Sequence, residues 1–249
     1  MKKKAPKMSR ITAMHLAKLI FRSLLFLGAT AVYIINRIKD SEHLFGGYEN
    51  TPWLPWVICV IFTVEMTLRF FPSRLESLGC QKQFARNYIP SGEATPILGS
   101  GVRTFAVAAA WIGLNAIFGV LYFTNIIDAG ILVLLALAYS VCDMICILFF
   151  CPFQTWFMKN RCCTDCRIYN WDFAMMFTPL VFIPRPYTWT LLGFSLLLLL
   201  RWEITRFRHP ERFSEATNKC IRCENCKEKL CHHKKQIRKF LQKHTGKLK

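Results

Sequence analysis

Residues 105–150 read FAVAAAWIGLNAIFGVLYFTNIIDAGILVLLALAYSVCDMICILFF, a stretch whose charged residues are Asp128 and Asp143. A helix needs about 20 consecutive apolar residues to cross a hydrocarbon core. This stretch holds two such runs, Phe105 to Ile126 and Ile127 to Phe150. Four more follow the same rule: Leu16 to Ile38, Trp53 to Phe71, roughly Ile168 to Ile183, and Tyr187 to Ile204. In lipid the backbone must satisfy its own hydrogen bonds, so these runs predict helices. The expected class is an all-α, polytopic integral membrane protein with about six transmembrane helices and a small cytoplasmic cysteine-rich cap. Apolar residues make up 53% of the chain and aromatics 14%, more than a water-soluble core requires.

Three regions follow: a basic amino terminus (1–15), a helix bundle (16–204) that contains the connector 151–172, and a basic, cysteine-rich tail (205–249). The start, with Lys2, Lys3, Lys4, Lys7 and Arg10, imitates the basic region of a signal peptide, and Ala29-Thr30-Ala31 imitates its cleavage site. Arg22 interrupts the apolar region and hydrophobicity continues through Ile35, so an uncleaved first helix is expected.

Lysine and arginine accumulate on the cytoplasmic side of membrane proteins. With six crossings, one face receives 2–22, 69–103, 151–172 and everything from Arg201, which together hold 30 of the 33 basic residues. The opposite face receives Arg37, Lys39 and Arg185 beside Asp40, Glu42, Glu49 and Asp128. Both termini are therefore expected in the cytoplasm, with the plasma (inner) membrane as the default location. The fifth segment is the weakest, because Phe173 to Ile183 is short and Pro184-Arg185-Pro186 breaks it. One broken helix would send the basic tail outside, against the charge rule, and a re-entrant hairpin would bury Arg185. Trp53, Trp56 and Trp189 fall at predicted outer boundaries, and Trp156, Trp171 and Trp202 at inner ones, as interfacial belts require.

Thiols on a reducing face read as metal ligands or redox groups rather than disulfides. Cys220, Cys223, Cys226 and Cys231 lie within twelve residues of the tail; Cys162, Cys163 and Cys166, with Cys151 upstream, lie in the connector. The Cys-x2-Cys-x2-Cys run from Cys220 to Cys226 lets three sulfurs from one loop hold three corners of a cubane cluster. Over about a dozen residues this spacing resembles that of bacterial ferredoxins, and the resemblance implies a 4Fe-4S cluster. Here the fourth cysteine, Cys231, comes later than in ferredoxins, and His232 stands where they carry proline. Zinc is the rival: Cys163-x2-Cys166 with Cys220-x2-Cys223 or Cys223-x2-Cys226 supplies two knuckles from separate segments, and His232 or His233 could complete a mixed site. Cys142 and Cys146 share a helix face and read first as apolar filler, with ligation alongside Cys151 as the alternative. Cys59 and Cys80 carry no assignment.

Glu65 and Asp143 lie inside apolar runs, where an unpaired carboxylate costs several kcal/mol. Arg69, one turn from Glu65, and Arg22 are the available partners, so an interhelical ion pair is the first reading and a proton relay or quinone pocket the second. Asn115 reads as glue between helices. The tail from Arg201 holds 15 basic and 5 acidic residues, and Ile237, Phe240 and Leu241 share a helical face, which suits an anionic leaflet better than nucleic acid. Its positive field also suits an acidic ferredoxin or flavodoxin. Phosphate-binding glycine loops, zinc-protease motifs and nucleophile elbows are absent from the sequence.

These features give one leading expectation: an iron-sulfur electron-transfer component between a soluble carrier and a membrane redox partner. The alternatives are a non-enzymatic scaffold or transporter-like bundle stapled by zinc, and a thiol-disulfide relay through Cys163 and Cys166.

Overall fold

A computed structural model describes residues 10–38, 53–72, 78–93, 95–99, 101–160, 162–163 and 166–225. The helices are α1 (Arg10–Ile38), α2 (Trp53–Leu68), α3 (Leu78–Gln83), α4 (Gly101–Phe123), α5 (Ala129–Leu148), α6 (Asp172–Phe177) and α7 (Pro186–Arg208). Strands are absent among the described residues, apart from an isolated bridge between Pro90 and Asn218. Three helices are long and apolar enough to cross a membrane, at Arg10–Ile35, Gly101–Phe123 and Ala129–Leu148. Trp56–Leu68 is a shorter apolar helix.

Local chemistry sets the boundaries. Asp128 caps α5, its carboxylate accepting from Ile131 N at 2.9 Å, which satisfies an otherwise orphaned donor. Pro152 has no N–H to continue that helix, and the chain enters one π-turn at Phe153–Phe157. At the start of α7, Thr188 Oγ1 accepts from Arg185 N at 3.3 Å and donates to Ile183 O at 2.6 Å, which fixes the proline-bounded turn.

Side-chain contacts fix the direction of each segment. α1 runs antiparallel to α5, since Arg22 meets Asp143 at 3.2 Å and Tyr33 Oη donates to Asp128 at 3.0 Å. Near its end, α2 meets α1 through Glu65. α7 runs antiparallel to α2, with Cys59 Sγ bonded to Tyr187 O and Arg201 donating to Phe70 O. α4 runs beside the segment 167–182: Arg103 donates to Met158 O, Trp111 Nε1 donates to Thr178, and Gly119 abuts the Phe182 ring. Six segments therefore alternate in direction. The starts of α1, α4 and segment 167–182 gather at one end, together with the ends of α2, α5 and α7. This is the basic end.

The fifth segment departs from a regular helix. It is a 3-10 turn (Arg167–Trp171), then α6, then a second 3-10 turn (Thr178–Phe182). Pro179 carries no N–H, so the α-helical ladder gives way there. Phe173, Met176, Phe177 and Leu180 are buried at the centre of the core, where Phe177 meets Phe62 edge-on at 5.3 Å. Phe182 packs against Phe123 and Tyr187 against Trp56, so the prolines between them sit at the far end of the bundle rather than at half its depth.

At the basic end, α3 and residues 84–99 pack against residues 209–225. Asn218 is fully buried; its Nδ2 donates to Lys82 O at 3.0 Å and to Arg212 O at 2.9 Å, while Oδ1 accepts from Cys220 N at 3.0 Å. Ser91 N donates to Thr217 O, and Ile97 N to Ser214 Oγ. Trp202, at the end of α7, is sandwiched between Phe84 and Phe213, with ring centroids at 5.1 and 6.2 Å. Its ring is thus buried under this layer and does not join an interfacial belt. Trp56, Trp156 and Trp189 are exposed, as belt residues are.

Candidate metal centre

The connector after α5 begins with Cys151, where the helix has just ended. Gln154 N–H donates to Cys151 Sγ at 3.4 Å, and the Cys146 and Cys151 thiols share a hydrogen bond. Gln154 is itself buried. Its Nε2 donates to Asn160 O at 3.3 Å and its Oε1 accepts from Cys163 Sγ at 3.2 Å, so one amide folds the loop back onto the helix end. Cys163 and Cys166 are joined by a tight turn in which Cys166 N–H donates to Cys163 O at 3.1 Å. The Cys166 thiol is 5% exposed and bonded by Ile168 N–H and the Asn160 side chain. Burial, then the neighbouring Cys151 and Cys163, push its pKa up to about 12. A buried thiol with thiol neighbours keeps its proton because each nearby thiolate would repel the next.

Four cysteines, Cys146, Cys151, Cys163 and Cys166, therefore occupy one neighbourhood at the basic end. Cys142 is exposed, and Cys162 is half-buried. Neither α5 cysteine is fully buried core filler. Among the described residues, no three His, Cys, Asp or Glu side chains are arranged to hold a metal ion.

The tail run starts close to the same layer. Cys220 is half-buried, two residues beyond the Asn218 anchor. The connector reaches this layer through Asn170, whose Nδ2 donates to Gln83 Oε1 at 2.9 Å, and through Arg167 and Trp171, which both bind Glu203 of α7. Cys226, Cys231 and the segment with Ile237, Phe240 and Leu241, expected from sequence to share a helical face, lie outside the described residues, as do the side chains of Cys223, Cys80 and Trp53.

Beside this end lies a compact ion cluster. Arg22, 2% exposed, binds Glu65 at 3.1 Å, Asp143 at 3.2 Å and Ser140 O at 3.1 Å. Lys18 binds Glu65 at 2.6 Å, and Arg69 binds Asp172 at 2.6 Å. The ion-pair reading of Glu65 and Asp143 thus holds, with Arg22 at its centre. Arg69 pairs with Asp172 instead of Glu65, since the guanidinium swings over Phe173 at 4.6 Å and away from its own helix. Asn115 is buried and donates to Trp111 O one turn back, so its amide serves α4 itself.

Sequence reasoning missed Gln154, Asn160 and Asn218 as organisers of the cysteine loops, and Lys18 and Asp172 as partners. The available signal was position: two amides, Gln154 and Asn160, lie between Cys151 and Cys162, and Asn218 precedes Cys220 by two residues.

No protein-family model matches this sequence, and no curated protein or solved structure is detectably similar to it.

Proposed function

We propose that this chain crosses the plasma (inner) membrane six times with both termini in the cytoplasm, and that its basic end carries a cysteine-ligated metal. Its task on this reading is electron transfer through an iron-sulfur cluster, from a soluble ferredoxin- or flavodoxin-like carrier to a membrane partner. The observation that supports the reading is that Cys151 and Cys163 neighbour Cys166 at the end of the bundle where Asn218 anchors the start of the tail run, although among the described residues no three such side chains are set to hold an ion. Ligands are then Cys220, Cys223, Cys226 and Cys231, with Cys162, Cys163 and Cys166 as a second or shared set.

Two further observations support it. Alternating directions bring the described parts of 69–103 and 151–172 together with residues 201–225 at one end, in keeping with the distribution of lysine and arginine. The 3-10 turns also lengthen the fifth segment: 16 residues at mixed rise reach about 29 Å, where a regular α-helix reaches about 24 Å. That matches a hydrocarbon core of about 30 Å. A net charge of +18 favours anionic lipid headgroups and acidic carriers over nucleic acid in this setting.

Zinc is the second reading, favoured by the Cys163–Cys166 turn, whose spacing is that of a zinc knuckle. Cys166 is buried with its pKa raised, so a thiol-disulfide relay would have to attack through the half-buried Cys163.

Anaerobic purification followed by an absorbance spectrum and iron, sulfide and zinc analysis tests the proposal. Brown protein with near-equal iron and sulfide, lost in Cys223→Ser, is the expected result. Colourless protein with stoichiometric zinc moves the assignment to the structural site. Absence of both metals overturns the metal reading.

A further inference from the structure

α1 carries His15, Lys18 and Arg22 at helical positions i, i+3 and i+7, so the three side chains share one face. That face meets the basic-end turns of α2, α5 and α6. Lys18 and Arg22 bind Glu65 of α2, Arg22 also binds Asp143 of α5, and Arg69 of α2 binds Asp172 of α6. Three cations therefore stand against three carboxylates. His15 is a further ionisable group beside them: it is 2% exposed, and the charges that act on it are those of Lys18, Arg69, Glu65 and Arg22. Both of its ring nitrogens are buried without a hydrogen-bond partner among the described residues.

An imidazole buried this way is costly, since even its neutral form carries one N–H donor and one lone pair. A leucine would fill similar space without that cost. Protonation turns the lone pair into a second donor, and the acceptor whose charge reaches the ring is Glu65. Glu65 already serves two cations, and they differ in freedom. Arg22 is 2% exposed and is also held by Asp143 and by Ser140 O, while Arg69 is held by Asp172 and stacks over Phe173. Lys18 is 33% exposed and ends a flexible four-carbon stem, so it can turn to water. A fourth cation at this buried face would leave one positive charge uncompensated, and the departure of Lys18 restores the balance.

We propose that His15 is a proton-binding site whose occupation displaces Lys18 from Glu65. A proton from water at the basic end bonds to the imidazole lone pair, the imidazolium pairs with Glu65, and the Lys18 ammonium swings out to solvent. The buried face keeps three cations against three carboxylates before and after. One proton taken up thus delivers one positive charge to the surface, and the tie between α1 and α2 passes from a half-buried lysine to a buried histidine. The proposal goes beyond the metal reading and does not depend on it.

NMR of the full-length protein in detergent micelles, with carbon-13 in histidine and lysine, tests it over the pH range in which the fold persists. The His15 and Lys18 signals are identified by their loss in His15→Gln and Lys18→Met. Reversible titration of His15 in the folded protein is expected. Over the same pH interval a soluble gadolinium chelate should begin to broaden the Lys18 signal, and in His15→Gln that change should vanish. Lys18→Met should bind the proton at least tenfold more tightly than wild type, and Glu65→Gln at least tenfold more weakly. His209, partly exposed beside Glu211, should titrate alike in every variant. A His15 signal that stays neutral until the protein unfolds, Lys18 broadening that ignores pH, or a proton affinity unmoved in Lys18→Met each overturns the proposal. Because Lys18 is part-exposed, Lys18→Met keeps the test decisive even where Glu65→Gln fails to fold.

Discussion

Arg22 on α1 meets Asp143 on α5 at 3.2 Å, and the guanidinium is 2% exposed. Removing one partner of such a pair leaves an uncompensated buried charge, which costs about 3–5 kcal/mol. Arg22→Met should therefore lower stability by that order, measured by thermal melting in detergent. Arg22→Met combined with Asp143→Leu and Glu65→Gln should recover most of the loss, because the stranded carboxylates are gone. Equal stability of Arg22→Met and wild type would show that the pair carries no weight.

Gly119 lies against the ring of Phe182, where any Cβ would collide. Gly119→Leu should destabilise by about 1–3 kcal/mol, the usual cost of overpacking. Adding Phe182→Ala should restore part of the melting temperature, since it vacates the space the leucine needs. A pair of effects that simply add would place the two side chains apart.

Asn218 ties Lys82 O, Arg212 O and Cys220 N together while fully buried. Asn218→Ala strands these groups at about 1–3 kcal/mol for each one left unpaired. The expected consequence is local: faster proteolysis within 209–225, with the bundle's own melting temperature nearly unchanged. Unaltered digestion would show that the aromatic stack of Phe84, Trp202 and Phe213 suffices to hold this layer.

Cys166 should respond to pH in a defined direction. Burial and thiol neighbours raise its pKa from 9.0 to about 12, so the folded state retains a proton that the unfolded chain releases near pH 9. The associated stability is complete below pH 9 and is lost as pH rises toward about 12. In metal-free protein, alkylation of Cys166 followed by mass spectrometry should accelerate roughly tenfold per pH unit across that window, because the thiolate is the reacting species. A rate that levels off near pH 9 would mean an ordinary, solvated thiol.

The all-helical class was readable because hydrocarbon length and backbone hydrogen bonding are properties of a segment, and Phe105 to Phe150 displays both without reference to any neighbour. The grouping of basic connectors was readable for a related reason: the charge rule sums over segments and ignores packing. Partner choice was not. Glu65 has Arg69 one turn away, yet it binds Arg22 and Lys18 from another helix, while Arg69 turns to Asp172. The interruption of 167–182 was foreshadowed by its prolines, but its 3-10 ends depend on the buried surroundings of Phe173 and Leu180.

Sequence spacing alone determined which cysteines form runs, because a Cys-x2-Cys unit is a local turn. Tertiary structure decided that Cys146 and Cys151 join Cys163 and Cys166, and that Trp202 is buried. Such outcomes depend on how helix faces and loop amides meet across long separations, and residue order does not encode those distances one segment at a time.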